Sequence, residues 1–221
     1  MGDVSRRGAV FRDRADAGRE LAKALARFRG PDALVLAIPR GGVEVGYQAA
    51  DQLDAEFSII IVRKLPFPDN PEAGFGAIAE QGGRYIHPEA SRWLSSQTIE
   101  RVIEDQRREV SRRIRVLRQG EPLPDVARRT VMLVDDGIAM GSTMRAAIQL
   151  CREEDAGRIV VAAPVAGRQV AGELEALVDD VVILEQPQFF KAVAEVYENW
   201  YDVPDREVLE ILAHWREDRG A

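Results

Sequence analysis

The 221-residue chain has little of the chemistry that cysteine and histidine provide, with one cysteine and two histidines. The single cysteine, Cys151, excludes an internal disulfide and a zinc site built from cysteines. It lies in the helical pattern AAIQLCREE, which favours a small half-buried residue over a nucleophile. His87 and His214 are too isolated to indicate a metal cluster or a Ser-His-Asp triad. Reactions that depend on a thiol or on clustered histidines are therefore not predicted.

Long apolar runs are also absent, since none approaches the roughly 18 residues of a membrane span. The amino-terminal stretch MGDVSRRGAVFRDRAD lacks the apolar segment of a secretory signal, so we expect a cytoplasmic protein without a membrane partner. The net charge of −7 argues against a general nucleic-acid surface. Any polyanion must therefore be bound by locally placed donors.

The most informative segment is 131–147, which reads VMLVDDGIAMGSTMRAA. Its apolar start, Val131 to Val134, predicts a strand buried on both faces of a parallel sheet, with the ligand side at its carboxyl end. Gly141 permits positive φ and close backbone approach, and Ser142 and Thr143 are predicted to cap a helix that begins near Met144. A helix start with free N–H groups is a phosphate site.

Asp135 and Asp136 separate this strand from the predicted phosphate site. Because a carboxylate repels phosphate, the pair must serve another group, either two adjacent ribose hydroxyls or a hydrated magnesium ion. A structural alternative stays open, in which the two acids cap a turn or pair with a surface arginine. Neither G-x-x-x-x-G-K-[ST] nor a G-x-G-x-x-G after a strand is present, so an NTPase P-loop and a dinucleotide fold are not predicted.

The stretch VMLVDDGIAMGST resembles the phosphoribosyl pyrophosphate (PRPP) signature of the type I phosphoribosyltransferases. Met140 stands where that family's Thr-Gly-Gly-Thr-like loop usually has a hydroxylated residue, which costs one side-chain hydrogen bond and leaves the backbone donors intact. The resemblance implies that Asp135 and Asp136 hold the ribose hydroxyls and act in catalysis. It assigns the 5-phosphate to Ala139, Met140, Gly141, Ser142 and Thr143.

A second loop, Ile38-Pro39-Arg40-Gly41-Gly42, follows another predicted strand and resembles the family's pyrophosphate loop. Its glycines let backbone amides converge on anionic oxygens, and Arg40 adds a fixed fork of donors. The family often distorts a peptide bond here, so we predict a nonproline cis peptide adjacent to Arg40. A plain strand-to-helix turn is the alternative.

Arg63 and Lys64 close the next predicted strand, and the resemblance places them at the base of a mobile loop. With Arg40, Gly41 and Gly42 they would bind pyrophosphate, and Arg40 and Lys64 would contribute to catalysis. The loop would exclude water from the activated sugar. Ordinary salt bridges at a strand end are the alternative for both residues.

The order of predicted elements and the resemblance together imply an α/β protein with the type I phosphoribosyltransferase fold. We expect a central, mainly parallel five-stranded sheet flanked by helices, in a single domain over residues 1–221. Its parts would be an irregular mobile loop at 65–83, a helical insertion at 85–120 and a hood at 185–203. In the hood, Phe189 and Phe190 are candidates to sandwich a planar acceptor, whereas the later aromatic residues are more typical of packing.

A long amphipathic helix is predicted from Ser95 to Leu117, with one apolar stripe and one arginine-rich face. The basic residues of that face are Arg107, Arg108, Arg112, Arg113, Arg115 and Arg118. We interpret the face as solvated or ion-paired with Glu104 and Glu109, in preference to RNA binding.

The resulting hypothesis is a phosphoribosyltransferase with Mg²⁺ as cofactor, which passes the phosphoribosyl group of PRPP to a small nitrogenous acceptor and releases pyrophosphate. Asp135 and Asp136 would hold the metal through water, and no residue is assigned as its direct ligand. Glu72 and Glu80 are the candidate general bases. Family members usually pair, so a homodimer is expected. The rival hypotheses are a PRPP- or nucleotide-binding regulator of gene expression and a phosphoribosyl hydrolase.

Overall fold

The computed structural model describes residues 9–219, so the start of the amino-terminal stretch discussed above lies outside the described residues. Its strands in chain order are β1 (Ala33–Ala37), β2 (Glu56–Ile59), β3 (Val62–Phe67), β4 (Asn70–Ala79), β5 (Arg84–Ile86), β6 (Thr130–Val134), β7 (Arg158–Val165) and β8 (Asp180–Glu185). Its α-helices are α1 (Arg14–Leu25), α2 (Gly42–Leu53), α3 (Pro88–Ser91), α4 (Ser96–Leu117), α5 (Ser142–Glu153), α6 (Arg168–Glu175) and α7 (Asp205–Arg219). Short 3₁₀ turns cover Ala26–Phe28, Glu80–Gly82 and Val193–Val196.

Five of the strands form a parallel sheet in the order β2-β1-β6-β7-β8, which confirms the predicted fold class. Every residue of β1 is buried, because helices cover both faces of the sheet. Val35 and Ala37 pack with α1, α2, α4 and α7, whereas Leu34 and Leu36 pack with α5 and α6. The alternation follows from the two-residue period of a strand.

The segment 65–83 is not irregular, so that prediction is wrong in secondary structure. β3, β4 and β5 form a separate antiparallel sheet that packs against α5. Proline and glycine suggested a loop, but Pro66 lies at a register shift and Gly76 lies where a side chain would overlap Tyr85 O. Whether this hairpin moves stays a prediction.

The two longest helices of the described residues, α4 and α7, cover core surface. In α4, Ser95 caps the helix by accepting from Thr98 N, and Val102, Ile103 and Val110 are buried. The chain beyond 203 continues into α7, where Trp215 packs edge-on against Phe57 with ring centroids 5.3 Å apart. No helix within residues 9–219 is both long and apolar enough to cross a membrane.

A buried ion pair fastens the β3–β4 hairpin to the parallel sheet. Arg118 and Glu80 are 3% and 4% exposed, and Arg118 Nη1 donates to Glu80 Oε1 at 2.8 Å and to Ile59 O at 3.0 Å. Glu80 Oε1 also accepts from Ile61 N at 2.8 Å. Arg118 therefore does not belong to the exposed basic face, because α4 has ended and the chain turns inward at this residue.

Candidate functional site

Two loops face each other where β1 and β6 end at the same edge of the sheet. Ala37 is the register partner of Val134, so the loop at 38–42 lies beside the Asp pair. A Cβ on Gly42 would lie 2.9 Å from Asp135 Cα, and one on Gly41 would overlap the Asp136 carboxylate. The two glycines are therefore required by close packing. The Pro39-Arg40 peptide bond is cis, which confirms that prediction.

Asp135 and Asp136 lie largely buried at the centre of this edge. The Asp135 carboxylate accepts a hydrogen bond from Asp136 N at 2.9 Å. Burial, followed by the charge of Asp136, raises the pKa of Asp135 well above its usual range. Burial also raises the pKa of Asp136, but Arg14 opposes this effect. The pair thus presents two carboxyl groups with different affinities for a proton.

Arg14, at the start of α1, is the site residue that the sequence analysis missed. It is 3% exposed, and its Nε donates to Asp136 Oδ2 at 2.8 Å. Its Nη1 donates to Tyr201 O at 3.1 Å, and its guanidinium lies 4.0 Å from the centre of the Trp200 ring. The two partners are 122 positions apart, and no local pattern in the sequence marks the contact. The alternative in which the acids pair with an arginine is therefore met in part, because Asp136 pairs with Arg14, but this arginine is buried and not at the surface.

The segment 185–203 contacts the Asp pair from the other side. Tyr197 OH donates to Asp136 O at 2.7 Å, and burial raises the pKa of this phenol. A Cβ on Gly137 would lie only 2.4 and 2.7 Å from the two methyl groups of Val193, which leaves no room for a side chain. Tyr197 and Trp200 thus pack around the site, as the sequence indicated for the later aromatic residues.

The two candidate acceptor-binding residues, Phe189 and Phe190, differ in their packing. Phe190 packs against the small apolar cluster that contains Tyr197, whereas the Phe189 side chain is 80% exposed. Neither residue lines the main cavity described below. Their role in acceptor binding remains a prediction.

The loop at 137–143 opens helix α5. Gly141 has φ of +72°, as predicted from its residue type, and it is the residue immediately before the helix. The predicted helix start and hydroxyl caps are wrong, because α5 already begins at Ser142 and Gly141 has no side chain to cap it. Arg145 N is the donor bonded to Gly141 O, so the N–H groups of 142–144 precede the helical ladder. These donors and two hydroxyls suit a phosphate.

Arg145 supports this loop from the next helical turn. Its Nη2 donates to Glu173 at 2.5 Å, its Nη1 lies 3.5 Å from Met140 O, and its guanidinium lies 5.2 Å from the Tyr85 ring. Arg145 is 9% exposed and connects α5 with α6 and the β3–β5 sheet. It was also absent from the sequence analysis, since a single arginine inside a helix carries no distinguishing pattern.

A mostly apolar cavity of about 580 Å³ lies between the loop at 137–143 and the β3–β4 hairpin. Its walls are Lys64, Phe67, Glu72, Ala73, Gly74, His87, Ala90 and residues 137–143. Lys64 Nζ donates to Glu72 O at 2.5 Å across the hairpin. His87 Nδ1 accepts from Ala90 N at 3.3 Å, so the proton of the neutral ring lies on Nε2. The sequence analysis had set His87 aside.

Arg63 and Lys64, predicted as a pair, point to opposite sides because alternate strand residues face opposite ways. Arg63 Nε donates to Gln106 Oε1 of α4 at 3.3 Å, away from the cavity. Arg40 is 40% exposed, and its Nη1 lies 3.5 Å from Asp205 Oδ1 at the start of α7. The predicted pyrophosphate residues are therefore divided between two sides of the hairpin.

The acidic residues of the hairpin differ in their access to a ligand. Glu80 is wrong as a candidate general base, because its carboxylate is buried against Arg118 and Ile61 N. Glu72 lines the cavity and remains a candidate. Within residues 9–219, no group of three or more acidic, histidine or cysteine side chains forms a ready metal site.

Comparison with known proteins gives three findings. Residues 12–199 match the phosphoribosyl transferase domain family. Rv0571c of Mycobacterium tuberculosis, provisionally named a phosphoribosyl transferase, is 38% identical over 205 residues, which cover 92% of this chain and 46% of that protein. The crystal structure of TT1426 from Thermus thermophilus is 39% identical, with a TM-score of 0.79, and the match covers 93% of this chain and 98% of that one. The chain spans about half the length of the curated relatives it matches.

Proposed function

The chain belongs to the phosphoribosyltransferase family, and from this premise we propose that it transfers the 5-phosphoribosyl group of PRPP to a nitrogenous acceptor and releases pyrophosphate. The observation that carries the proposal is the contact between the two strand-end loops. The Gly41-Gly42 backbone lies directly against the Asp pair, and the phosphate loop begins one residue further along the chain. PRPP has a ribose diol, a 5-phosphate and a pyrophosphate group. This edge of the sheet offers the Asp pair for the diol and one loop for each of the two anionic groups.

In this proposal the 5-phosphate binds at Ala139 to Thr143, where the first N–H groups of α5 are free of the helical ladder. The ribose hydroxyls donate to Asp135 and Asp136, whose oxygens only accept hydrogen bonds when ionised. Arg14 orients Asp136 by binding one of its oxygens and leaves the other for the sugar. Arg40, Gly41 and Gly42 receive the pyrophosphate.

Departure of pyrophosphate leaves positive charge on the anomeric carbon, so the protein mainly has to position the partners and stabilise separating charges. The guanidinium of Arg40 and the ammonium of Lys64 are the groups that we assign to the negative charge on the leaving group. The β3–β4 hairpin, including 65–83, would exclude water, which otherwise consumes the activated sugar. Glu72 is the remaining candidate to accept the proton of the acceptor.

We propose Mg²⁺ as the cofactor. Magnesium favours one or two carboxylates with substrate phosphate oxygens and water, and the two acids at this edge fit such a set without a third acidic side chain. Asp135 and Asp136 would hold it, through water or directly. When bound, it would neutralise charge on the pyrophosphate oxygens.

Four finer assignments belong to the same proposal. The chain would act as one domain with a hood at 185–203 and an α4-containing insertion at 85–120. It would work as a homodimer in the cytoplasm. Phe189 or Phe190 would hold the acceptor. The paired arginines of α4 do not support the regulator hypothesis, because Arg107, Arg108, Arg112 and Arg113 each pair with a carboxylate of the same helix.

The decisive experiment is a calorimetric titration with PRPP and Mg²⁺, followed by a screen of purine, pyrimidine and pyridine acceptors for pyrophosphate release. Binding together with release that requires one class of acceptor supports the proposal. Release without any acceptor would identify a hydrolase, and the absence of binding would refute PRPP as the substrate.

A variant tests the assignment of Lys64. We expect Lys64→Ala to lower turnover with the melting temperature unchanged, because the ammonium lies at the cavity and outside the core. Lys23→Ala is the matched control, since Lys23 is an exposed lysine of α1 that pairs with Glu20 of the same helix. Equal turnover in both variants would remove Lys64 from the catalytic group.

A further inference from the structure

The arginines of α4 are not equivalent. Arg112 and Arg113 both donate to the Glu109 carboxylate, at 2.7 and 3.0 Å from their Nε atoms. The Arg113 side chain is only 16% exposed, whereas that of Arg108 is 70% exposed and pairs with Asp105. Two hydrogen-bonding arginines lower the pKa of Glu109 to about 2, with Arg112 as the larger cause. One carboxylate therefore holds two guanidinium groups in place.

Arg113 lies on the face of α4 that packs against β3, and Arg112 shares its carboxylate partner. Gln106, Glu109 and Arg113 lie three to four residues apart, so they share one face of α4. Gln106 accepts from Arg63 Nε at 3.3 Å, which places that face against β3. Burial lowers the pKa of Arg63, and the charge of Arg113 is the next largest cause, with smaller contributions from Arg112 and Arg40. Arg113, Arg112 and Arg40 therefore lie within interaction range of Arg63. The backbone agrees, because Ala37 pairs with Ile59 and Ile60, and Arg40 and Arg63 each follow that neighbouring pair by three residues.

The carboxylates at this position do not balance the four positive charges. Glu109 pairs with Arg112 and Arg113, and Asp205 lies 3.5 Å from Arg40. Arg40 adjoins the cis peptide bond, so the group of arginines borders the loop that follows β1. Arg40 and Arg112 are 40% and 47% exposed, which leaves their donors accessible to a ligand. The surplus of positive charge suits a polyanion.

We propose that Arg112 and Arg113 of α4, with Arg63, extend the Arg40 loop into a subsite for the pyrophosphate group. The inference rests on the proposed function and adds residues from the helical insertion to it. Pyrophosphate carries two phosphoryl groups with several anionic oxygens, and guanidinium forks bind such oxygens in pairs. The subsite borders Arg40 from the α4 side of β3, and Lys64 reaches the pyrophosphate from the cavity side. Its arginines share the charge of the leaving group, and Glu109 keeps two of them oriented.

The test uses inorganic pyrophosphate and the whole 221-residue chain. Arg112→Gln and Arg113→Gln should each weaken pyrophosphate binding about tenfold in calorimetry, since each removes charge-assisted hydrogen bonds. The KM for PRPP should rise by a similar factor, and the loss should shrink at high salt. Arg108→Gln is the control, because it removes an arginine of the same helix that also has an i,i+3 partner. Ribose 5-phosphate, which lacks pyrophosphate, should bind all variants equally.

The outcomes separate this inference from the proposed function. If the wild type turns over PRPP and both glutamine variants bind pyrophosphate as the wild type does, the subsite is refuted and the function stands. If the wild type does not bind pyrophosphate at all, the subsite is refuted as well. If Arg112 and Arg113 are needed for pyrophosphate binding but no acceptor is phosphoribosylated, the subsite stands and the function fails. Arg113→Lys keeps the positive charge. It should recover part of the pyrophosphate affinity if Arg113→Gln weakens ligand binding without unfolding the protein.

Discussion

Two arginine–carboxylate pairs of this protein have the same chemistry and different surroundings. The hairpin pair, Arg118 and Glu80, joins β4 to the end of α4, and both side chains are 4% exposed or less. The site pair, Arg14 and Asp136, joins α1 to the end of β6, and the Asp136 side chain is 14% exposed. Both pairs bring together residues that are distant in the sequence.

The difference lies in what remains unbound. Both oxygens of Glu80 are engaged, one of them by a backbone N–H as well as by Arg118, so the carboxylate is closed to any ligand. Arg14 binds Oδ2 of Asp136, and the Asp136 side chain is partly exposed at the sheet edge, so this carboxylate is accessible to a ligand. A fully satisfied buried pair contributes a fixed connection, whereas a partly satisfied one offers an oriented acceptor. Burial alone therefore does not distinguish a structural acid from a binding acid.

The largest expected effect is on the hairpin pair. Glu80→Ala leaves Arg118 buried without its carboxylate and should lower the free energy of unfolding by about 3 to 5 kcal/mol, measured by urea denaturation. Glu89→Ala, which breaks an exposed pair with Arg92, should change it by less than about 0.5 kcal/mol. If the double variant Glu80→Met, Arg118→Met is as unstable as Glu80→Ala, the loss does not come from an unpaired charge.

For the site pair we expect the larger change in activity. Arg14→Ala should lower kcat/KM for PRPP at least about tenfold and the unfolding free energy by only about 2 kcal/mol. Without Arg14 the pKa of Asp136 rises further, so the acidic limb of the pH–rate profile should move to higher pH. Arg14→Lys should restore the position of that limb in part. An unshifted profile would mean that Arg14 acts only on folding.

Tyr197→Phe tests how much the hydrogen bond from Tyr197 OH to Asp136 O stabilises the Arg14–Asp136 pair. The variant keeps the packed ring and loses the hydrogen bond to Asp136 O, so the unfolding free energy should fall by about 1 kcal/mol. Tyr201→Phe, which loses an exposed bond to Glu207, should cost less. If thermal denaturation gives equal losses of stability for the two variants, the Tyr197 hydrogen bond does not stabilise the site more than an exposed one does.

The smallest expected effect on stability has the opposite sign. The folded-state pKa of Asp135 is raised, so between the unfolded and folded pKa values the native state binds more protons and stability falls as pH rises. Asp135→Asn removes that loss while keeping an oxygen to accept from Asp136 N. We expect the variant to be as stable as the wild type at acidic pH, more stable at neutral pH, and inactive. A melting temperature that is lower than wild type at neutral pH would contradict the raised pKa.

Much of the fold followed from local pattern. The strand at 131–134, the glycine at 141 and the β-loop-α-β unit after residue 33 were readable because burial on both faces and positive φ restrict residue choice strongly. The β3–β4 hairpin was not readable in this way. Its glycines and prolines are typical of loops, and only the close approach of β5 and Lys64 explains Gly74 and Gly76 within a strand.

The site divides along the same line. The Asp pair and the two strand-end loops could be found because their residues are neighbours in sequence. Arg14 and Arg145 could not, because each contacts residues that are distant in the sequence, and a lone arginine has the same appearance on a solvated face. The aromatic residues near 200 suggested packing, but nothing indicated that they cover Arg14.

The sequence by itself determined an α/β sheet protein with two glycine-containing loops and paired carboxylates at the strand ends, since strand burial, a helix start after glycine and paired carboxylates act over a few residues. The tertiary structure decided which charges meet. Arg63 and Lys64 are adjacent in the chain and face different sides of the hairpin, and Glu80 and Asp136 are both acids near an arginine, of which one is closed and the other open. Long-range contacts set these differences, because the free energy of a charged group depends on whether water or protein surrounds it, and only the tertiary structure determines that.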